Sequence, residues 1–157
     1  MMTLAAFVAC LAIAQPLWSA ASGNTLDCAP AAWPAQGQLD ASQLIQGAQR
    51  EAAAGDPAAQ WLLGALYIKS EIAQDRGAGI KWLQIAAHTA APAVRRAASP
   101  QAQALSETEL YATMREMAEA LPRLVEREGP TKGVGLFYDQ ARTILQVLIG
   151  CADRPSR

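Results

Sequence analysis

His88 is the only histidine in the 157-residue chain, and one imidazole excludes the multi-histidine metal sites and leaves little room for a hydrolase triad. It is expected on the exposed end of a helix. Charge is equally scarce: 17% of the residues are Asp, Glu, Lys or Arg, the formal net charge is -1, and no run of Lys or Arg occurs. The electrostatic footprint of a nucleic-acid binder is therefore missing, and no nucleic acid is expected as a partner. Gly133-Val134-Gly135 lacks the third glycine and the preceding strand of a dinucleotide site, so Gly129-Pro130 to Gly135 reads as a turn. Glu126 and Glu128, with Arg127 between them, read as a solvated helix end, since a glycosidase carboxylate pair needs a cleft between two elements. No segment shows the period-two alternation of a strand. These absences leave no expected enzyme chemistry, cofactor or metal.

What is present is apolar and punctuated. Hydrophobic residues make up 52% of the chain, enough at this length for the core of one domain. Leu4 to Ala14 is almost wholly apolar, Pro16 interrupts it, and Ser19-Ala20-Ala21 offers small residues for cleavage. Residues 1–21 are read as a secretory signal, with retention as an anchor or lipidation at Cys10 as the alternatives. A membrane span needs about 20 apolar residues, and Pro16 and Ser19 come too early, so no integral span is expected after cleavage. The location implied is periplasmic or secreted. Cleavage removes Cys10 and leaves Cys28 and Cys151, an even pair that in an oxidising compartment reads as a disulfide. Closing so long a loop is worth about 4–5 kcal/mol on the chain-entropy model; two independent thiols are the alternative.

Residues 22–38 carry Pro30, Pro34 and Gly37 and read as an extended arm. Helical signals follow through residues 39–151, with 152–157 as a tail. Asp40 caps a helix from about Ala41 to Ala54 that carries Leu44, Ile45, Ala48 and Ala52 on one stripe and stops at Gly55. Asp56-Pro57 opens the next, which runs to about Lys69. A third begins around Gly77 and Gly79 and is expected to end near Thr89, before Pro92. Ser106-Glu107-Thr108-Glu109 fits a capping box, with Ser99-Pro100 as an alternative start. Leu110, Met114, Met117, Leu121 and Leu124 form a stripe that Pro122 should kink or break. The methionines read as core. Phe137, Ala141, Ile144, Leu145 and Leu148 mark a last helix ending at Gly150. The fold expected is all-α, an array of about five helices.

One stretch has a more particular spacing. Ala59-Gln60, Leu63-Gly64, Tyr67, Asp75, Gly79, Trp82 and Ala86-Ala87 stand in an order that resembles the Sel1-like repeat, a relative of the tetratricopeptide repeat built from two antiparallel helices. The resemblance covers about 30 residues, in a single copy. It implies small residues where the paired helices approach (Ala59, Gly64, Gly79, Ala86, Ala87), bulky packing from Leu63, Tyr67 and Trp82, and Asp75 leading into the second helix. Ser70-Glu71-Ile72 is one residue shorter than the family's usual turn. The family mostly supplies binding surfaces without a catalytic centre. It implies an exported module that holds a protein or peptide partner, or, alternatively, an immunity-type inhibitor of an exported toxin. The modest charge of the chain favours the first.

The first helix of this unit is apolar on both sides. At roughly 100° per residue, Ala59, Leu63, Leu66 and Tyr67 share the face that packs within the repeat, while Trp61, Ala65 and Ile68 fall opposite. Such a helix is either buried on both sides or offers one side to a partner. In tetratricopeptide-like units the first helix lines the concave groove, which makes Trp61, Ala65 and Ile68 the candidate partner-binding residues. The competing reading is that the Cys28 arm or the final helix covers them.

Overall fold

Five of the seven helices among the described residues begin where a short polar side chain satisfies free backbone N–H groups, and those sites are the ones the sequence marks. The computed structural model describes residues 40–69 and 75–151; the signal, the arm, Cys28, the Ser70-Glu71-Ile72 turn and the tail lie outside them. Helix α1 spans Ala41–Ala53. Asp40 accepts from the Gln43 amide at 2.9 Å, and the Gln43 side chain accepts from the Asp40 amide at 3.1 Å, completing a capping box. Gly55 ends it with φ +95°, a conformation glycine adopts without strain. Helix α2, Pro57–Lys69, starts on the Asp56 carboxylate, which accepts from the amides of Ala58 at 2.8 Å and Ala59 at 3.3 Å. Helix α3, Arg76–Arg95, starts on Asp75, whose Oδ1 accepts from Ala78 N at 3.0 Å.

Helix α3 does not end before Pro92; it continues through it. Proline removes one intrahelical hydrogen bond, but Ala90, Ala91, Val94 and Ala97 are all buried here, and their packing holds the backbone helical. Both candidate starts after it are used. Ser99 caps the short α4, Pro100–Ala104, and Ser106 with Glu109 forms the capping box of α5, Glu107–Ala118. Pro122 breaks the following stretch, lying in the first turn of a separate α6, Leu121–Glu128. Seven helical segments thus stand among the described residues where about five were expected, because Pro100 and Pro122 each open one of their own.

The expected turn through Gly135 is also helical. Helix α7, Pro130–Leu148, begins directly after Gly129, and Gly133, Val134 and Gly135 are buried within it. A Cβ on Gly133 would sit 2.8 Å from the Leu124 carbonyl oxygen and from the Val125 Cα and N. The glycine marks a close crossing of α7 over α6, not a turn.

The molecule is all-helical over the described residues, with α2 at its centre. Every residue of α2 from Pro57 to Leu66 is buried, and the helix contacts α1, α3, α5, α6 and α7. Against α3 the approach is close. A Cβ on Gly64 would meet Leu83 Cδ2 at 2.6 Å, and one on Gly79 would meet the Gly64 carbonyl oxygen at 2.8 Å. Each glycine faces the other helix's backbone or core side chain, so the two axes come nearer than any larger residue permits.

Candidate functional site

The residues expected to pack the hairpin do so. Ala59, Leu63, Ala86 and Ala87 are fully buried between α2 and α3, Gly64 and Gly79 set the close approach, and Tyr67 and Trp82 lie half-buried against the core. The Tyr67 carbonyl accepts from the Asp75 amide at 2.6 Å, joining the end of α2 to the start of α3.

The expected binding face is a different matter. Trp61 is only 1% exposed, and its indole Nε1 donates to the Met114 carbonyl oxygen at 2.7 Å. Its ring meets Phe137 edge-on, with centroids 5.9 Å apart and planes at 81°. Ala65 is fully buried as well. Helix α5 supplies the hydrogen-bond acceptor and α7 the aromatic contact, so the second apolar face of α2 is covered by later helices instead of offered to a partner. Burial of a large amphipathic ring whose N–H finds a partner is the ordinary resolution of such a face. Trp61 and Ala65 are therefore out of a partner's reach; of the three, Ile68, half-buried near the end of α2, alone stays in reach of solvent. Met114 is core, and Met117 is half-buried beside it. Cys151 packs half-buried against the core, while its expected partner Cys28 lies outside the described residues.

Sequence reading missed a polar cluster beneath α7. Asp56 caps α2 through Oδ1, and its Oδ2 accepts from the Tyr138 hydroxyl at 3.0 Å and from Arg142 Nη1 at 3.2 Å. The Arg142 and Asp56 side chains are 12% and 14% exposed, so this charge pair is well shielded from water. Burial, with the Asp56 carboxylate adding to it, pushes the Tyr138 hydroxyl well above the ordinary tyrosine range. Tyr138 and Arg142 share one face of α7 at i, i+4, which the sequence shows; that this face meets a cap more than 80 residues away it does not show. The cluster fastens the final helix over α2.

Among the described residues a concave surface runs along the valley between α3 and α5. Near one end, Gln84, Ala87, Glu107, Thr108 and Tyr111 border an open space of about 440 Å³. At the other, Ile68, Lys69, Arg76, Ile80, Arg115 and Glu119 border a smaller one of about 80 Å³. Low numbers on α3 thus stand beside high numbers on α5, and His88 Nδ1 lies 3.4 Å from Glu107 Oε1 at the far end. The two helices are antiparallel, with Arg76 and Ile80 at the end of Arg115 and Glu119, and Gln84 and His88 at the end of Glu107 and Tyr111. These side chains form one stripe on each helix, at successive steps of four residues. From Arg76 to His88 the valley is about 18 Å long, at 1.5 Å per residue.

The valley offers hydrogen-bonding groups above an apolar floor, an arrangement suited to non-covalent recognition. His88 is exposed, as expected of it. No cluster of His, Cys, Asp or Glu that could hold a metal ion occurs among the described residues. Among them, too, no helix is long and apolar enough to cross a membrane. Glu128 pairs with Lys132 at 2.6 Å and with Arg127 at 2.9 Å, which lowers its carboxyl below the usual range and fits the solvated helix end expected there. No protein-family model, curated protein or solved structure matches this chain.

Proposed function

We propose that the chain is an exported protein–protein interaction module of Sel1-like type, which holds a protein or peptide partner in the α3–α5 valley. The observation that carries this reading is the valley itself: an open groove between two antiparallel helices, lined by Gln84, Thr108 and Tyr111 over Ala87. The glycine-mediated closeness of α2 and α3 agrees with the hairpin that the spacing from Ala59 to Ala87 implies. The leader-like segment up to Ala21 supports export to the periplasm or the exterior, and the pair Cys28 and Cys151 supports a disulfide between the two ends of the chain.

Site-specific photocrosslinking in cells tests the reading. A photoreactive phenylalanine placed at Thr108, in the valley, is expected to trap one defined partner. The same group at Thr143, exposed on α7, is expected to trap none. Equal products from both positions, or none from Thr108, would overturn the valley as the binding surface.

A further inference from the structure

The two ends of the valley carry opposite electrostatics. At the end where α3 begins, Lys69, Arg76 and Arg115 meet a single lining carboxylate, Glu119. Glu119 is engaged only loosely: Lys69 Nζ lies 3.7 Å from its Oε1, with both side chains about half exposed, where an ion pair contributes little. The Arg76 and Arg115 side chains have no hydrogen-bond or ion-pair partner among the described residues. Between these cations lies an apolar floor of Ile68 and Ile80. Ile68 is held in place there, since its Cγ1 presses on Gly79 so closely that a Cβ at that position would come within 2.5 Å.

At the opposite end the one carboxylate among the described lining residues is Glu107, beside His88. A negative group lying there would be repelled, whereas at the Arg76 end it would be attracted. The middle, with Gln84, Thr108 and Tyr111, presents neutral donors and acceptors suited to an extended main chain.

We infer that the valley takes an extended acidic segment of a partner protein, five or six residues long, with its carboxylate between Arg76 and Arg115. This rests on the reading of the valley as the binding surface and adds its polarity. The length follows from about 18 Å of groove and about 3.3 Å per extended residue. An aliphatic side chain next to the acidic residue enters the small space over Ile68 and Ile80. The rest of the segment runs toward Glu107, where a basic or neutral residue fits and an acidic one does not. Guanidinium groups suit this role because their planar donors match a carboxylate in pairs.

A selection of random hexapeptides displayed on phage against the full-length chain tests this, run in parallel on wild type, the pair Arg76→Glu with Arg115→Glu, the milder pair Arg76→Gln with Arg115→Gln, and Thr108→Arg. Both arginines are on the surface, and a glutamate at the first position of α3 suits the helix N-terminus, so circular dichroism of these variants is expected to match wild type. Wild type is expected to enrich peptides with Asp or Glu beside Leu, Ile or Val. Their affinity, read by fluorescence anisotropy, is expected to drop at least tenfold in the glutamate pair, less in the glutamine pair, and also as salt rises from 50 to 300 mM. Enriched peptides without an acidic position, yet lost in Thr108→Arg, would overturn the polarity and leave the valley standing. Peptides indifferent to all the variants, or none enriched, would overturn both. A concentration-dependent dimer abolished by the glutamate pair would show that a second copy of the chain, not a partner segment, is what the cations hold, and would overturn the proposal.

Discussion

Replacing Gly79 with alanine pits two effects against each other, and the structure decides between them. Alanine is favoured over glycine inside a helix by about 1 kcal/mol. At Gly79, however, the new Cβ would lie 2.5 Å from Ile68 Cγ1, 2.8 Å from the Gly64 carbonyl oxygen and 2.9 Å from the Ile68 amide nitrogen. Turning the Ile68 side chain relieves only the first contact. The other two are backbone atoms of α2, so α3 must move away, and α2 is packed on every side by other helices. Overpacking of this kind costs about 1–3 kcal/mol, and more where the backbone cannot yield. With the upper end of that range set against the helix preference, Gly79→Ala is expected to be about 2 kcal/mol less stable than wild type. For a domain of this size that lowers the melting temperature by roughly 6–12 °C. Gly77→Ala, in the same first turns of α3, is the control. Its Cβ would find only Asp75 Oδ1 at 3.5 Å, an ordinary contact, so it keeps the helix preference and is expected to raise stability by up to about 1 kcal/mol. Thermal and urea melts followed by circular dichroism at the helix band give both values. If Gly79→Ala melts at or above Gly77→Ala, the close approach of α2 and α3 is wrong, and the hairpin with it.

Trp61→Phe removes the bond to the Met114 carbonyl and part of a buried ring, and is expected to cost about 2–3 kcal/mol in a urea melt. No loss would mean that α5 does not cover that face. Asp56→Asn keeps a capping oxygen but takes the charge from beside Arg142; a loss of about 2–3 kcal/mol is expected by the same assay, and an unchanged midpoint would detach α7 from the cap of α2. Tyr138 supplies a pH test. Its hydroxyl titrates higher in the folded chain than the ordinary value of about 10 in the unfolded one, so its contribution is complete below about pH 10 and is lost as the pH rises from there. The stability gap between wild type and Tyr138→Phe should accordingly narrow above about pH 10 in melts taken from pH 8 to 11.5. A constant gap would sink the buried-hydroxyl argument.

Local structure was the legible part. Asp40, Asp56, Asp75, Ser99 and Ser106 each cap a helix because a short oxygen-bearing side chain reaches the free amides two or three residues on, and that chemistry is written in a window of four residues. Pro92 and the Gly129–Gly135 stretch differ from the local expectation because their outcome is not local. Pro92 stays helical because its neighbours are buried, and Gly133 is glycine because α6 passes beside it. The Asp56–Tyr138–Arg142 cluster was invisible for the same reason: the residues stand in two separate helical segments, and only the fold brings them within hydrogen-bond distance.

The burial of Trp61 also decides which surface of the fold stays open. In an open array, the two-sided apolar helix would leave one side for the next repeat or for a ligand. Here α5 and α7 occupy that side, and the acceptor on α5 together with the Asp56 link to α7 keeps them there. A probe such as Trp61→Asp would thus report on folding, since it buries a carboxylate where an indole was, and could not report on recognition. The same closure that removes the face of α2 creates another surface. Helix α5 covers Trp61 and also lies alongside α3, and two antiparallel helices that meet along their inner sides leave a valley between their outer ones. Ile68 is where the two surfaces join. It belongs to the stripe of Trp61 and Ala65, yet it comes one turn later, past the end of the cover, and so lines the cationic end of the valley. Ile68→Asp, unlike a change at Trp61, is therefore expected to lose the contact with Gly79, at about 1–2 kcal/mol for a half-buried side chain, and still fold, while repelling an acidic segment. If that variant unfolds, Ile68 belongs to the core and the floor of the valley must be sought further along α3.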